Sequence, residues 1–422
     1  MSAIDSLLES ILIPEVIRVR QSFERPAVHD ITGEITRGMD ACGALRDAKP
    51  GWKVAVTAGS RGISNIPVIL RTVVEKLRAA GCEPFLFPAM GSHGGATADG
   101  QRSVLEDMGI TEEFVGAPIK SCMETVSVDT APNGRSVYMD KYASEADAVL
   151  IVNRIKPHVA FRGSFESGLM KMIAIGMGKQ RGADSAHQLG FGQMAENVLE
   201  YAKVLMAKKN VLCAIGILEN AYHQTAEIHV MRACEIESRE PKLLKRAWAL
   251  YPKIFFDELD VLILDEIGKD ISGTGFDTNI VGRYHTPYAS GGPDIKRVGV
   301  LDITGKSHGN GNGLGILDFT TRRAFDKFDF ENSYPNALTS TVPLSVKIPM
   351  VLKNDRQCIQ AAIKTCNALD QNSVRMVRIK NTVSLDEIEV SKSLENYVRE
   401  HPNLEAVKGP YELSFDREGN LF

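Results

Sequence analysis

The feature that most constrains the fold of this chain is a repeated alternation of short apolar segments with amphipathic helical segments. Residues 53–57 and 84–90 are apolar runs of strand length, and each leads into a turn that contains glycine. Between them, Pro67 is a residue favoured in the first turn of a helix, and apolar residues then recur on one helical face as far as Leu77. Strands that alternate with helices predict parallel sheets covered by helices, so we expect an α/β fold.

The predicted strands lead into polar residues at their carboxyl ends. Residues 91–95 follow the second strand, and Thr97 can cap the helix beyond them. A third strand, 148–152, is followed by the polar residues 153–158. In open α/β sheets, ligands bind at the edge formed by the carboxyl ends of the strands. We therefore expect the functional site at this edge.

A second set of predicted strands begins after a helical stretch and lies at residues 261–264, 298–301 and 374–379. A chain of 422 residues is too long for one ordinary core, so two domains are expected. We assign residues 1–245 to an N-terminal catalytic α/β domain and residues 246–422 to a C-terminal α/β domain that completes the substrate pocket. Mainly parallel sheets that face each other across a cleft would suit a small-molecule site.

The amino-acid composition limits which binding partners and which cellular compartment can be expected for this chain. The chain has 49 Lys and Arg against 53 Asp and Glu, a formal net charge of -4, and no run of like charge, which argues against nucleic acids and anionic membranes as partners. Seven cysteines without a CxxC motif are typical of reduced thiols in the cytoplasm. No apolar stretch reaches the roughly 20 residues of a membrane helix. We expect a cytoplasmic protein with a small-molecule partner, and the sequence leaves a homo-oligomer open.

Four of the nine histidines lie in stretches rich in glycine and polar residues: His93, His158, His187 and His308. A lone histidine is more often a surface or core residue than a catalyst. His93 and His158 both follow strand ends, however, so one pocket could hold both imidazoles, and a neutral imidazole can take a hydroxyl proton. Two bases on opposite faces of one carbon are what a racemase or an epimerase needs.

The stretch from Arg154 to His187 carries further candidates. Arg154, Lys156 and Arg162 surround His158 and could hold a carboxylate, although a solvated loop would have the same composition. Lys171 lies among apolar residues, where a lysine can lose its proton and become a nucleophile or simply lay its stem on a core.

The same stretch is punctuated by glycines, among them Gly168 and Gly176, which let the backbone approach a phosphate or a ring closely. The phosphate-loop motif GxxxxGK[ST] is absent. His187 follows Lys171 by sixteen residues, and one histidine is too few for a metal site built by protein alone. If a metal binds here, another molecule must supply most of its ligands.

The order of these residues resembles the nickel-dependent lactate racemase family. That family has a Thr-Arg-type turn after one strand and a Gly-x-His motif after the next. A Pro-His, a glycine-rich stretch containing a lysine, and a histidine sixteen residues later follow. The corresponding residues here are Ser60-Arg61, Gly91-Ser92-His93, Pro157-His158, Lys171 and His187. The resemblance covers roughly residues 50–190 and is weak beyond them.

The resemblance implies a racemase or epimerase that inverts the hydroxyl-bearing carbon of a 2-hydroxy acid by hydride transfer to and from a nickel-pincer nucleotide. His93 and His158 would be the catalytic acid/base residues. Lys171 would join covalently to the thiolated pyridinium mononucleotide, and His187 would be the protein ligand to nickel, with the pincer supplying three further ligands. Residues that would hold the nucleotide are Ser60, Arg61, Gly168 and Gly176.

Departures from the family pattern concern the substrate pocket. Ala58 and Gly94 replace an acidic and a basic residue of the family. In the second domain Asp277-Thr278-Asn279 matches the family, but Gly282 and His285 stand where Gln and Lys are expected. The resemblance thus implies a substrate other than lactate, such as a sugar acid. Candidate substrate-binding residues are Arg154, Lys156, Arg162, Asp277, Asn279, Arg283, His285 and His308.

Three alternatives stay open at the level of sequence. A zinc or manganese hydrolase would use His93, His158 and His187 as ligands to one metal. A non-catalytic protein could bind a nucleotide or a sugar phosphate on the same glycine-rich loops. In the third alternative, the chain keeps this fold but lacks the cofactor altogether.

Overall fold

The computed structural model describes residues 2–422, which divide into two compact units. The first, here called the site unit, is Glu24–Tyr251. The second unit combines residues 2–23 with Pro252–Phe422.

The strands are, in chain order, β1 (Val16–Gln21), β2 (Lys53–Ala58), β3 (Glu83–Pro88), β4 (Thr125–Thr130), β5 (Ser136–Asp140), β6 (Ala148–Arg154), β7 (Val211–Glu219), β8 (Thr225–Met231), β9 (Glu258–Ile267), β10 (Asp294–Ile303), β11 (Phe319–Thr321), β12 (Met350–Leu352), β13 (Met376–Ile379), β14 (Glu387–Ser391) and β15 (Leu404–Tyr411).

The α-helices are α1 (Ala3–Leu8), α2 (Ile31–Cys42), α3 (Ile66–Ala79), α4 (Ala98–Asp107), α5 (Glu112–Val115), α6 (Lys141–Glu145), α7 (Leu169–Lys171), α8 (Lys179–His187), α9 (Met194–Lys208), α10 (Ala233–Ala249), α11 (Thr278–Val281), α12 (Arg322–Lys327), α13 (Phe330–Ser340), α14 (Asp355–Thr365) and α15 (Glu395–Glu400). A π-helix, Met172–Gly176, continues from α7. Across residues 2–422 no helix has both the length and the apolar character needed to cross a bilayer.

The site unit is built on a five-stranded sheet in the order β3-β2-β6-β7-β8. The first four strands are parallel, and β8 pairs with β7 in the antiparallel sense. Strand β2 is buried from Val54 to Ala58 without alternation, as expected of a parallel strand covered on both faces. The predicted α/β class with mainly parallel sheets is confirmed.

The helix face and the helix ends predicted from the sequence are found in the site unit. The apolar face of α3 is fully buried at Leu70, Val73 and Leu77, and Gly81 follows the helix with a φ of 80°. Thr97 caps α4, because its side chain accepts a hydrogen bond from the main-chain N–H of Gly100. Short-range periodicity and capping therefore set the elements that lead into and out of the sheet edge.

The second unit contains an eight-stranded sheet in the order β12-β11-β10-β9-β13-β14-β1-β15. Its first five strands are parallel, and β14, β1 and β15 join in antiparallel pairs. Strand β1 lies between β14 and β15, with Val19 opposite Ile388 and Ala406. Residues 2–23, which we assigned to the N-terminal domain, thus cluster with the second unit. Pairing between strands so far apart in the chain leaves no local signal in the sequence.

The position of Val19 leads to a stability prediction. Val19 is fully buried, so Val19→Asp would place an unpaired carboxylate in the second sheet, at a cost of about 3–5 kcal/mol. Hydrogen exchange measured by mass spectrometry should speed up in β14 and β15 and stay unchanged in β2 and β6. The control is Arg20→Gln at the neighbouring half-exposed position. Equal acceleration in β2 and β6 would contradict the division into units.

Candidate functional site

Loops from three parallel strands of the site unit converge on the segment that follows Gly168. A methyl group added at Gly59, after β2, would lie 3.2 Å from Cε of Met172 and 3.8 Å from Oδ1 of Asn153 near the end of β6. After β3, the main-chain N–H of Gly91 donates to the carbonyl of Gly176 at 3.5 Å. The carboxyl edge of the sheet therefore holds this helical segment, as expected for an open α/β sheet.

Lys171 ends α7 and is followed directly by the π-helix, a rare conformation that is frequent at functional sites. The start of α7 is fixed by Glu240 of α10, whose carboxylate accepts from the main-chain N–H of Met170 at 2.9 Å. Asn153 adds a hydrogen bond from Nδ2 to the carbonyl of Gly168 at 2.8 Å. The lysine is thus carried by a segment that is anchored at its first turn.

The two glycines predicted to approach a nucleotide are required by atoms of the protein itself. A Cβ at Gly168 would lie 2.0 Å from Oε1 of Glu240. A Cβ at Gly176 would lie 2.6 Å from Sδ of Met172 and 2.8 Å from the carbonyl oxygen of Ala89. Close packing inside the site unit accounts for both glycines without a ligand.

Lys171 contacts the first of the candidate histidines. Its Nζ lies 2.8 Å from Nε2 of His158. Desolvation, reinforced by the positive charges of Lys156 and Arg61, lowers the pKa of Lys171 to about 8. This amine therefore loses its proton well below the usual pH range of a lysine, and the uncharged amine is the form that can act as a nucleophile.

His187 lies in the last turn of α8 and is close enough to Lys171 to feel its charge. Burial first, and then the charge of Lys171, lowers the pKa of His187 to about 4, so its ring is neutral. Its Nδ1 is buried and has no hydrogen-bond partner among residues 2–422. A buried polar atom of this kind calls for a partner, because leaving it unsatisfied costs free energy.

Two phenylalanines link the histidines. The ring of His158 lies 4.4 Å from that of Phe161 and 6.3 Å from that of Phe191, centroid to centroid. Phe191 also meets His187 edge-on at 5.2 Å. His158, Lys171 and His187 are therefore brought together beside two phenylalanine rings, whose role could not be recognised from the sequence.

His93 follows β3 in a turn that buried polar residues hold in place. Its Nδ1 lies 2.7 Å from the carbonyl oxygen of Met90. Gln101 donates from Nε2 to the carbonyls of Gly91 and His93 at 2.9 and 3.2 Å, and Lys179 donates to the Oε1 of Gln101 at 3.0 Å.

The turn that carries His93 also packs on helix α8. A methyl group at Gly91 would lie 3.6 Å from Cβ of Ala183, which is one helical turn before His187. The loop of His93 therefore contacts the helix that carries His187.

The candidate cations fall into two groups. Ser60 and Arg61 lie in the bend after β2, and burial together with the charge of Arg154 lowers the pKa of Arg61. The charges of Arg61 and Lys156 both act on Lys171, so these two side chains make the region around it positive. Such a region favours a carboxylate or a phosphate.

Arg154 and Arg162 are engaged with partners in the site unit. Arg154 forms an ion pair with Glu219. Arg162 donates to the carbonyl of His158 at 2.6 Å and lies 3.6 Å from the carboxylate of Glu166. These contacts hold the loop around His158 in place.

The remaining candidates belong to the second unit, in loops after β9 and β10. Asp277 caps α11 by accepting from the main-chain N–H of Asn279 at 3.0 Å, and both residues are buried. Burial lowers the pKa of the neighbouring His285 to about 4. Arg283 donates to the carbonyl of Ile295 at 2.8 Å and pairs with Asp318 at 3.2 Å, while His308 is exposed.

The three-histidine metal site is not supported by the arrangement of side chains. Within the described part of the chain, no three His, Cys, Asp or Glu side chains are grouped closely enough to hold one metal ion. A hydrolase that binds its metal through His93, His158 and His187 would need such a group.

Sequence reasoning missed Glu240, although a signal for it exists. Along α10 the buried residues are Ile236, Glu240, Leu243, Leu244 and Ala247, which follow the helical period. An acidic residue within such an apolar stripe is rarely buried without a purpose. Gln101 and Lys179 carry no comparable signal, because their partners lie far away in the chain.

The buried carboxyl of Glu240 makes stability depend on pH. Burial raises its pKa from 4.5 to about 7, against the effect of its bonds to main-chain N–H groups. The folded chain thus holds this proton more tightly, and stability falls by about 3 kcal/mol as pH rises between these values. Glu240→Gln should flatten this fall in urea unfolding at about pH 5 and about pH 8.

The matched control for this prediction is Glu237→Gln at an exposed position of the same helix. It should leave the pH dependence of unfolding as it is in the unaltered chain. An unchanged slope in Glu240→Gln would contradict the burial of a neutral carboxyl.

Comparisons with known proteins agree with this architecture. Residues 52–236 match the family described as Domain of unknown function (DUF362). The fold is similar to that of the lactate racemase apoprotein from Thermoanaerobacterium thermosaccharolyticum, with a TM-score of 0.52 and 12% identity over 88% of this chain and 99% of that one. No curated protein matches the chain in sequence. The likeness shows a lactate racemase-like fold.

Proposed function

We propose that this chain is an isomerase, a racemase or epimerase that inverts the hydroxyl-bearing carbon of a 2-hydroxy acid with the help of a nickel-pincer nucleotide. The observation that carries the proposal is the neighbourhood of Lys171. A partly neutral amine, a hydrogen-bonded imidazole and a second imidazole with a buried, unsatisfied Nδ1 occur together. The racemase-like fold supports the same reaction class.

The residues present fit such a cofactor. The unsatisfied Nδ1 of His187 marks a ring whose polar atoms the protein does not saturate, as a metal ligand requires. We propose His187 as the nickel ligand and Lys171 as the covalent attachment, with Ser60 and Arg61 near the phosphate. The chemistry that such a group supplies when bound is reversible hydride acceptance.

The side chains of the site unit would handle the proton and the carboxylate. His93 would take the hydroxyl proton at Nε2, and His158 would return a proton to the oxygen at the other face. Lys156 would hold the carboxylate by charge. Phe161 and Phe191 would limit water around the imidazoles and strengthen these interactions.

We also propose a substrate richer in polar groups than lactate. The site unit offers the hydrogen-bonding side chains of Asn153, Lys156 and Arg162 around His158. The hydroxyl and carboxylate groups of a polyhydroxylated or dicarboxylic 2-hydroxy acid can pair with more such groups than a methyl-bearing acid can.

A cytoplasmic location is proposed from the thiols. All seven cysteines are free, including the exposed Cys234. Free thiols persist in a reducing compartment.

The attachment residue can be tested by mass. Protein made together with the cofactor-synthesis enzymes should exceed the sequence mass by one nucleotide adduct, and Lys171→Ala should lose that adduct because the attacking amine is gone. Lys242→Ala, at an exposed lysine of α10, should keep it. An adduct that persists in Lys171→Ala would rule out this assignment.

The two histidines can be tested by racemisation. His93→Ala and His158→Ala should each lower the racemisation rate at least about 100-fold, since general acid–base catalysis contributes at least that much. Nickel content should stay near that of the unaltered protein. His29→Ala, at an exposed histidine, should leave both unchanged. Loss of nickel from either site variant would favour the metal-ligand role instead.

The substrate class can be tested by chiral chromatography across lactate, malate, gluconate and other aldonates. We expect faster inversion of the polyhydroxylated or dicarboxylic acids, because they can pair with more of the polar side chains around His158. Deuterium uptake at the reacting carbon is unsuitable as an assay, since the hydride can return without exchange. Faster turnover of lactate than of every other acid would refute the substrate proposal.

A further inference from the structure

The two candidate acid/base histidines make opposite hydrogen bonds through Nδ1. In His93, Nδ1 lies 2.7 Å from the carbonyl oxygen of Met90. A carbonyl oxygen only accepts, so Nδ1 carries the proton. A neutral His93 ring therefore has its lone pair on Nε2.

In His158 the direction is reversed. The main-chain N–H of Ala160 donates to Nδ1 of His158 at 3.1 Å, so Nδ1 carries the lone pair. The neutral ring then has its proton on Nε2, the atom that lies 2.8 Å from Nζ of Lys171. An Nε2–H donor needs an acceptor, and among the states of lysine only the uncharged amine has a lone pair.

The charges around Lys171 favour the same state. Lys156 after β6 and Arg61 after β2 are the charged groups that act on its amine, and His187 of α8 lies within reach of its charge. An ammonium at Nζ would face two cations and a ring N–H. An amine at Nζ accepts the N–H and avoids the repulsion.

We infer that, at mildly alkaline pH, His158 holds Lys171 as an uncharged amine in the unloaded chain, whereas His93 is preset as the proton acceptor. The two histidines are therefore unequal before any group is attached. The free amine is the form that can react with an electrophilic carbon. The catalytic role of His93 rests on the proposed function. The tautomers of the two histidines and the uncharged state of Lys171 do not depend on it.

The tautomers can be read by nuclear magnetic resonance of the unloaded protein with ¹⁵N-labelled histidine. Correlations between ring nitrogens and ring carbon-bound protons show which nitrogen carries the proton. We expect Nδ1–H for His93 and Nε2–H for His158 at mildly alkaline pH, with assignments from His93→Gln and His158→Gln. His401 is a matched reference, because its Nδ1 also accepts a main-chain N–H, from Asn403 at 3.2 Å.

Lys171→Met tests the second half of the inference. Loss of the amine should leave His158 in the Nε2–H form, while its Nε2–H proton exchanges faster with water and shifts upfield. The corresponding proton of His401 should not change. An Nδ1–H or doubly protonated His158, or an Nε2–H proton insensitive to Lys171→Met, would overturn the inference.

These outcomes are separable from the proposed function. A chain that shows the expected tautomers but never acquires an adduct would refute the cofactor proposal and leave the inference intact. A chain that racemises its substrate but shows Nδ1–H on His158 would do the reverse.

Discussion

The contact between Lys171 and His158 is the interaction on which the rest of the site depends. It joins a loop after β6 to a helical segment that crosses the sheet edge, and it requires both partners to be held closely. Glu240 fixes the start of that segment, and Ala160 fixes the ring of His158. Desolvation and neighbouring cations lower the pKa of the primary amine in this position, so its uncharged form becomes accessible at mildly alkaline pH.

Much of the site unit could be predicted because its signals are local. The apolar run of β2, the periodic face of α3 and the cap at Thr97 each depend on residues within one element. The order of polar residues after successive strands predicted a common edge, and the structure brings His158, Lys171 and His187 together there. Their chemical roles stay predictions.

The contacts that could not be predicted join residues that lie far apart in the sequence. Glu240 is separated from Met170 by 70 residues, and Lys179 from Gln101 by 78. Gly168 shows the same limit, since a glycine three residues before a lysine suggests a ligand, whereas its actual neighbour is the carboxylate of Glu240 from another helix. A single sequence shows that a glycine is present, but it does not show which neighbouring atom leaves no room for a side chain there.

Strand β1 has a consequence for how the chain is made. The site unit, Glu24–Tyr251, is an insertion between β1 and the remainder of the second unit. Of the strands described here, β1 is synthesised first, whereas its partners β14 and β15 are the last two to be made. The site unit can fold as a domain while β1 waits as an unpaired edge, exposed to association with other chains. The inserted unit is therefore complete in the growing chain before the strands that pair with β1 have been made.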